Sequence, residues 1–137
     1  MQERKLMELA EAAGNIAIVG HVRPDGDCVG SCLAVCNYIT EQYPEKTVDV
    51  YLETPPAKFS YLEQFERICS DPDTGKQYDL CICLDSGDRE RLGKNVVYLN
   101  TAKTSICIDH HITNQGYAAA NFVKADASAS CEALYDF

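Results

Sequence analysis

Apolar positions in the first third of the chain form one short run and then a helical repeat. Residues 16–19 are uninterruptedly apolar and predict a buried strand, preceded by an N-terminal helix that Gly14 closes. From Asp27 onward apolar residues recur every three or four positions, which predicts an amphipathic helix that ends before Pro44. The recurring residues are Val29, Cys32, Leu33, Cys36 and Ile39. This part of the chain therefore predicts strand, loop and helix, with residues 21–26 as the loop.

The rest of the chain predicts further strands separated by short helices and turns. Residues 80–84 are apolar on both faces, as in an inner strand of a parallel sheet that is covered on both sides. The other predicted elements are strands at 47–53, 105–108 and 117–123, a short helix at 57–65, turns at 71–75 and 89–93, and a last helix from Ser128 onward. This alternation predicts an α/β, Rossmann-like fold: a parallel sheet with helices on both faces and a ligand crevice at the carboxyl ends of the strands.

Composition and charge narrow the class of protein. The 137 residues suffice for one domain, and 12 Lys and Arg against 21 Asp and Glu leave a net charge of -9, which disfavours long nucleic acid and anionic membranes as partners. The longest apolar runs are about five residues, far below the roughly 18 to 20 that span a bilayer. The N-terminal segment lacks the pattern of a signal peptide, and eight cysteines in a βα-patterned chain fit a reducing compartment. We expect a cytoplasmic protein without a membrane segment.

Acidic and imidazole side chains follow three of the predicted strands, and all three histidines of the protein are among them. The three loops carry His21, Asp25 and Asp27; then Asp85 and Asp88; then Asp109, His110 and His111. Carboxylate oxygens mixed with imidazole nitrogens suit Mn²⁺, Mg²⁺ or Zn²⁺, and a carboxylate between two such ions can bridge them. The pattern therefore predicts a binuclear metal centre.

Three of these segments together resemble the successive motifs of the DHH phosphoesterases. They are residues 21–31 (HVRPDGDCVGS), the strand end at residues 84–85 (LD) and residues 109–114 (DHHITN). The order of the motifs matches, and the resemblance covers nearly the whole chain. It implies a metal-dependent phosphoesterase, with Mn²⁺ at two sites and Mg²⁺ or another divalent ion as the alternative.

The resemblance also implies a role for each site residue. His21, Asp25 and Asp85 would hold one metal, and Asp27, Asp85 and His110 the other, with Asp85 bridging the two. His111 would face the substrate phosphate. Asp109 would orient a histidine rather than bind metal. The implied catalytic residues are therefore Asp85, Asp109 and His111.

The chain departs from the family pattern after the third motif. Family members usually supply a further metal-binding Asp downstream and continue into a substrate-binding DHHA1 domain. Asp126 and Asp136 do not match that ligand, and the chain ends at Phe137. We expect residues 1–137 to form a partial, C-terminally truncated DHH domain that lacks the DHHA1 domain and is poorly active in isolation.

The residues of the first motif are similar to those of the cytoplasmic branch of the family, whose members hydrolyse short oligoribonucleotides and 3'-phosphoadenosine 5'-phosphate (PAP). This similarity implies a short RNA or small nucleotide as substrate and allows a homodimer of the full-length protein. Two alternatives within the superfamily are a cyclic-dinucleotide phosphodiesterase and a pyrophosphatase, although related pyrophosphatases tend to carry Thr in place of Gly26. A third alternative is a non-catalytic fragment that binds metal or nucleotide.

Other residue patterns favour structural roles. Asp88 is better explained as a helix cap or an exposed charge than as a metal ligand. The four-residue spacing of Cys28, Cys32 and Cys36 favours small buried side chains on the core face of the helix over a metal-binding stripe. Gly26 is expected to let the loop turn tightly between Asp25 and Asp27.

Overall fold

A six-stranded parallel sheet forms the centre of the computed structural model, which describes residues 8–71 and 75–124. The strands are β1 (Asn15–Val19), β2 (Thr47–Tyr51), β3 (Ile68–Cys69), β4 (Leu80–Leu84), β5 (Thr104–Asp109) and β6 (Ala120–Val123). Their spatial order is β3-β2-β1-β4-β5-β6, and every neighbouring pair is parallel. The strand order reverses between β1 and β4, which is where parallel α/β sheets open a crevice for ligands. The predicted α/β fold class is confirmed.

Two α-helices and several shorter helical segments accompany the sheet. Helix α1 (Gly26–Gln42) begins after Asp25, whose side-chain Oδ1 accepts the backbone N–H of Cys28 at 2.9 Å. It ends at Gln42, two residues before Pro44, as the repeat predicts. Helix α2 (Val96–Thr101) is shorter, and residues 8–12 are also helical. The 3-10 helices are Ala57–Phe59, Phe65–Arg67 and Glu90–Asn95. None of the helices in the described ranges is long and apolar enough to cross a membrane.

The core consists of two layers, one on each face of the sheet. Side chains alternate along a strand, so Ile16 and Ile18 of β1 pack with helix α1, whereas Ala17 and Val19 belong to the opposite layer. That second layer packs against Leu92, Tyr98 and Leu99 of the segment around α2. Strand β4 contributes to both layers and is buried along its whole length. Helical segments therefore cover both faces of the sheet, as predicted from its apolar strands.

Local details differ from the sequence-based expectations. The helix predicted at 57–65 is replaced by two short 3-10 helices, Ala57–Phe59 and Phe65–Arg67, and Gln64 directly before the second one is left-handed with φ of 70°. Strand β3 and helix α2 were not predicted, and the last strand begins at Ala120 rather than at residue 117. The helix predicted from Ser128 lies outside the described residues, as do residues 72–74 of the predicted turn.

The loop between β1 and α1 turns at Arg23 rather than at Gly26. Arg23 has φ of 50°, whereas among the described glycines only Gly93 and Gly116 have positive φ. Gly26 is the first residue of α1 and has no need of glycine's conformational freedom. The expectation that Gly26 makes the tight turn was wrong.

Candidate metal centre

The candidate site lies at the carboxyl ends of three neighbouring strands, β1, β4 and β5. His21 follows β1 by two residues, Asp85 follows β4 directly, and Asp109 is the last residue of β5. Because the carboxyl ends of parallel strands share one edge of the sheet, the loops that follow them converge there. The N-terminus of α1 adds Asp25 and Asp27 to the same place.

Asp85 lies between two histidines. Its Oδ2 is 3.2 Å from Nε2 of His21, and its Oδ1 is 3.3 Å from Nε2 of His110. The carboxylate is buried, and its backbone N–H donates to the carbonyl of Ile108 on β5 at 3.1 Å. Asp85 also has φ of 56°, a left-handed conformation that Asp tolerates better than most residues and that is frequent at functional sites. The two carboxylate oxygens are thus directed to two different imidazoles.

Two further carboxylates complete the group around these histidines. Asp25 Oδ1 lies 3.6 Å from His21 Nε2, and Asp27 Oδ2 lies 3.7 Å from His110 Nε2. The result is two sets of three side chains that share Asp85. All five residues predicted to hold metal are therefore brought together.

The donor set suits a pair of hard or borderline divalent cations. Neighbouring ligands of an octahedral cation with bonds of about 2.1–2.4 Å are about 3.0–3.4 Å apart, close to the separations of 3.2–3.7 Å between histidine nitrogen and carboxylate oxygen. Carboxylate oxygens and imidazole nitrogens are also the ligands that Mn²⁺, Mg²⁺ and Zn²⁺ share. The residues present therefore fit the two-metal arrangement.

The backbone of Val22 sets the orientation of the His21 ring. His21 Nδ1 lies 2.7 Å from the Val22 carbonyl, and since a carbonyl only accepts, Nδ1 carries the hydrogen and Nε2 is left to face the carboxylates. The Asp85 carboxylate, followed by hydrogen bonding to the Cys28 thiol, raises the pKa of His21 to about 11. The Val22 N–H in turn donates to the carbonyl of Arg91 at 2.7 Å, which ties this loop to the segment before α2.

Asp109 and His111 form a separate hydrogen-bonded pair beside the centre. His111 Nδ1 donates to Asp109 Oδ1 at 2.6 Å, and Asp109 is fully buried. Asp109 Oδ2 accepts the side-chain amide of Asn114 at 2.9 Å. The His111 side chain is 34% exposed, so the ring is held from the buried side and remains open to ligand from the other. Ligand atoms of Asp109 and His111 also lie within 4.8 Å of those of Asp85 and His110. The orienting role of Asp109 stays a prediction.

Sequence reasoning missed several supporting contacts. Asn114 belongs to the third motif and had no expected role, although its side-chain amide holds Asp109. The Ser86 carbonyl accepts the Tyr117 hydroxyl at 2.9 Å, which links the loop after β4 to the segment before β6. No local pattern marks Tyr117 as a support, because its partner Ser86 is distant in the chain. The N–H of Val22 likewise pairs with the distant Arg91. Asp88 stays outside the centre and accepts the Arg91 N–H at 2.9 Å, as expected of a cap.

The fold and the site define an α/β protein with a carboxylate and imidazole centre at the edge of a parallel sheet. Residues 15–137 match the DHH family, N-terminal domain. The chain belongs to the DHH family, and the resemblance of its three motifs is confirmed at that level.

Three curated relatives are bifunctional oligoribonuclease and PAP phosphatases named NrnA. The protein of Streptococcus mutans, described as probable, is 31% identical over 136 residues, which cover 98% of this chain and 41% of the relative. The Bacillus subtilis protein is 31% identical over 116 residues (85% and 35%), and that of Mycoplasma pneumoniae 30% identical over 132 residues (92% and 40%). The chain thus spans 35–41% of the length of these relatives.

A solved structure has the same fold. The crystal structure of an exopolyphosphatase-related protein from Bacteroides fragilis superposes with a TM-score of 0.88 and 23% sequence identity. The match covers 98% of this chain and 42% of that chain.

Proposed function

We propose that this chain is the metal-binding domain of a phosphoesterase that hydrolyses short oligoribonucleotides and PAP. The observation that carries the proposal is the position of Asp85, which directs its two oxygens to His21 and His110. A carboxylate placed in this way is suited to bridge two cations. The substrate class is supported by the three curated relatives, which are oligoribonuclease and PAP phosphatases by name.

The two sets of side chains would each hold one divalent cation, with Mn²⁺ as our choice. His21 and Asp25 would serve the first, Asp27 and His110 the second, and Asp85 both. When bound, such a pair supplies an activated water and neutralises the charge that develops on the phosphoryl oxygens.

His111 would contact the substrate directly. Asp109 holds the proton of His111 at Nδ1, which leaves Nε2 directed away from that pairing and able to hydrogen-bond a phosphoryl oxygen or to hold a proton there. Asn114 keeps the Asp109 carboxylate in place through its other oxygen. Asp109 therefore acts as a positioning residue, and His111 as the group that touches the phosphate.

The charge of the domain favours a small substrate. With a net charge of -9, the chain repels a long polyanion at every phosphate that lies outside the metal centre. A dinucleotide or PAP carries few phosphates, so cations at one site can offset most of that repulsion. The cytoplasmic location and a homodimer of the full-length protein stay predictions.

The test combines metal binding and hydrolysis. Mn²⁺ is titrated by calorimetry into the wild type, Asp85→Ala and Asp88→Ala, where Asp88 serves as the control because it caps a turn without joining the centre. We expect Asp85→Ala to abolish binding of the cation pair and Asp88→Ala to retain it. Unchanged Mn²⁺ stoichiometry and affinity in Asp85→Ala would contradict the bridging role.

Hydrolysis is measured on a labelled ribodinucleotide and on PAP, with the 137-residue chain and the product of its entire reading frame side by side. We expect Mn²⁺-dependent cleavage of these substrates by the longer product and little by the 137-residue chain. Pyrophosphate and a cyclic dinucleotide are assayed in parallel. Cleavage of either of these without cleavage of the ribodinucleotide or PAP would contradict the substrate assignment, and no cleavage of any substrate would favour a binding domain.

A further inference from the structure

A thiol lies beside one half of the metal centre. The ligand atoms of His21, Cys28 and Asp85 all lie within 4.8 Å of one another, and all three residues are buried. Cys28 was expected to be a small core side chain, and its full burial agrees with that. Its position next to a histidine and a carboxylate adds a soft sulfur ligand to a set that is otherwise nitrogen and oxygen.

Two features of the fold place this thiol. Cys28 is the third residue of α1, so the start of this helix brings its sulfur next to His21 and Asp85. Gly20, directly before His21, leaves the space that the sulfur occupies, since a Cβ built on Gly20 would lie 2.4 Å from Cys28 Sγ. The segment that carries the histidine and the helix that carries the thiol thus approach closely because residue 20 has no side chain.

We propose that His21, Cys28 and Asp85 form a site for thiophilic cations such as Zn²⁺ or Cd²⁺, and that its occupation excludes the cation that His21 and Asp85 would hold for hydrolysis. The inference rests on the proposed function only for that second clause. Sulfur ligands select soft and borderline metals over Mn²⁺ and Mg²⁺.

The geometry allows the site to close. Ligand atoms of a tetrahedral zinc with bonds of 2.0–2.3 Å are about 3.5 Å apart. The three ligand atoms lie at most 4.8 Å apart, so side-chain rotations that shorten these distances by about 1 Å would bring them to this spacing. Nε2 is the ring nitrogen of His21 that can bind a cation, since Nδ1 donates to the Val22 carbonyl. One nitrogen cannot bind two cations at once. The two modes of binding are mutually exclusive for this reason.

The experiment follows the ultraviolet charge-transfer absorbance of a cadmium–thiolate bond while Cd²⁺ is titrated into metal-free protein. Cys69, which is exposed, and Cys131, which lies outside the described residues, are first replaced by Ser to remove competing thiols. In that background we compare the parent with Cys28→Ser, Cys28→Ala and Cys36→Ala. Cys36 is the matched control, because it is fully buried on the same helix and is absent from the cluster.

In the parent and in Cys36→Ala, we expect the absorbance to rise until one equivalent of Cd²⁺ has been added, and in both Cys28 variants we expect it to be lost. An excess of Mn²⁺ should raise the Cd²⁺ concentration at half-saturation. Cys28→Ser keeps an atom at the position of the sulfur and serves if Cys28→Ala does not fold. Undiminished absorbance in folded Cys28→Ser, or no effect of Mn²⁺, would overturn the inference. If the Cys28-dependent signal is present but the product of the entire reading frame shows no Mn²⁺-dependent hydrolysis, the proposed function is overturned and the thiophilic site is supported.

Discussion

Replacing Gly93 with Ala tests how the fold holds His21 in place. Gly93 has φ of 59° and ψ of -135°, a conformation that costs a residue with a side chain about 1–3 kcal/mol. A Cβ at this position would also lie 2.5 Å from Cγ1 of Val22, and overpacking of this kind costs about 1–3 kcal/mol. We expect Gly93→Ala to lower the free energy of unfolding by about 2–6 kcal/mol, the sum of the two effects.

Gly93→Ala should also affect metal binding, because Val22 lies next to Gly93 and contacts His21 of the metal centre. Displacing Val22 moves the carbonyl that holds His21 Nδ1, so binding of Mn²⁺ should weaken at the half of the centre that contains His21. Urea denaturation measures the stability, and calorimetry measures the metal affinity. Gly116→Ala is the matched control: it also has positive φ, at 76°, but its Cβ would meet only the Asn121 side chain, at 3.2 Å.

A double substitution separates the backbone strain at residue 93 from the steric overlap of its new side chain with Val22. Val22→Ala removes the methyl group that the new side chain at position 93 would meet, so it should restore the overlap part of the loss, about 1–3 kcal/mol, when combined with Gly93→Ala. Val22→Ala alone provides the fourth corner of the cycle. A stability loss in Gly93→Ala no greater than that in Gly116→Ala, or no recovery on adding Val22→Ala, would refute the overlap with Val22.

Three further predictions concern single carboxylates. Asp25→Ala and Asp88→Ala should each lose about 1 kcal/mol of stability with their caps, but only Asp25→Ala should weaken Mn²⁺ binding in calorimetry; equal effects on binding would contradict the assignment. In the product of the entire reading frame, Asp109→Asn should lower kcat about 10- to 100-fold and alter the pH profile of hydrolysis, because His111 loses the carboxylate that fixes its proton. An unchanged profile would exclude that role. The backbone N–H of Gly14 and, to a smaller extent, the side chain of Lys103 hold the pKa of Asp79 below its usual range. The stabilisation that the Asp79 carboxylate contributes is therefore present above the unfolded pKa of about 3.9 and is lost as the pH falls. The gap in urea midpoint between wild type and Asp79→Asn should therefore be open at pH 7 and close in acid, and a constant gap would contradict this.

Most of the strands, helix α1 and the convergence of the candidate site residues could be predicted from the sequence. Uninterrupted apolar runs specify buried strands, and a three- and four-residue repeat specifies α1, since each pattern depends only on neighbours in the chain. The three acidic and histidine loops follow strands, and parallel strands end at one edge, so their convergence follows from the fold class. The resemblance of the motifs to the DHH family pointed to the same residues.

Tertiary structure decided how those residues face one another. That the oxygens of Asp85 separate toward His21 and His110 depends on β4 lying between β1 and β5, and strand order is not written in any local pattern. The repeat along α1 predicts burial of Cys28, but its closeness to His21 arises only where α1 begins beneath the end of β1. The contact between Val22 and Gly93 joins residues far apart in the chain, and such contacts exist only once the sheet has brought distant segments together.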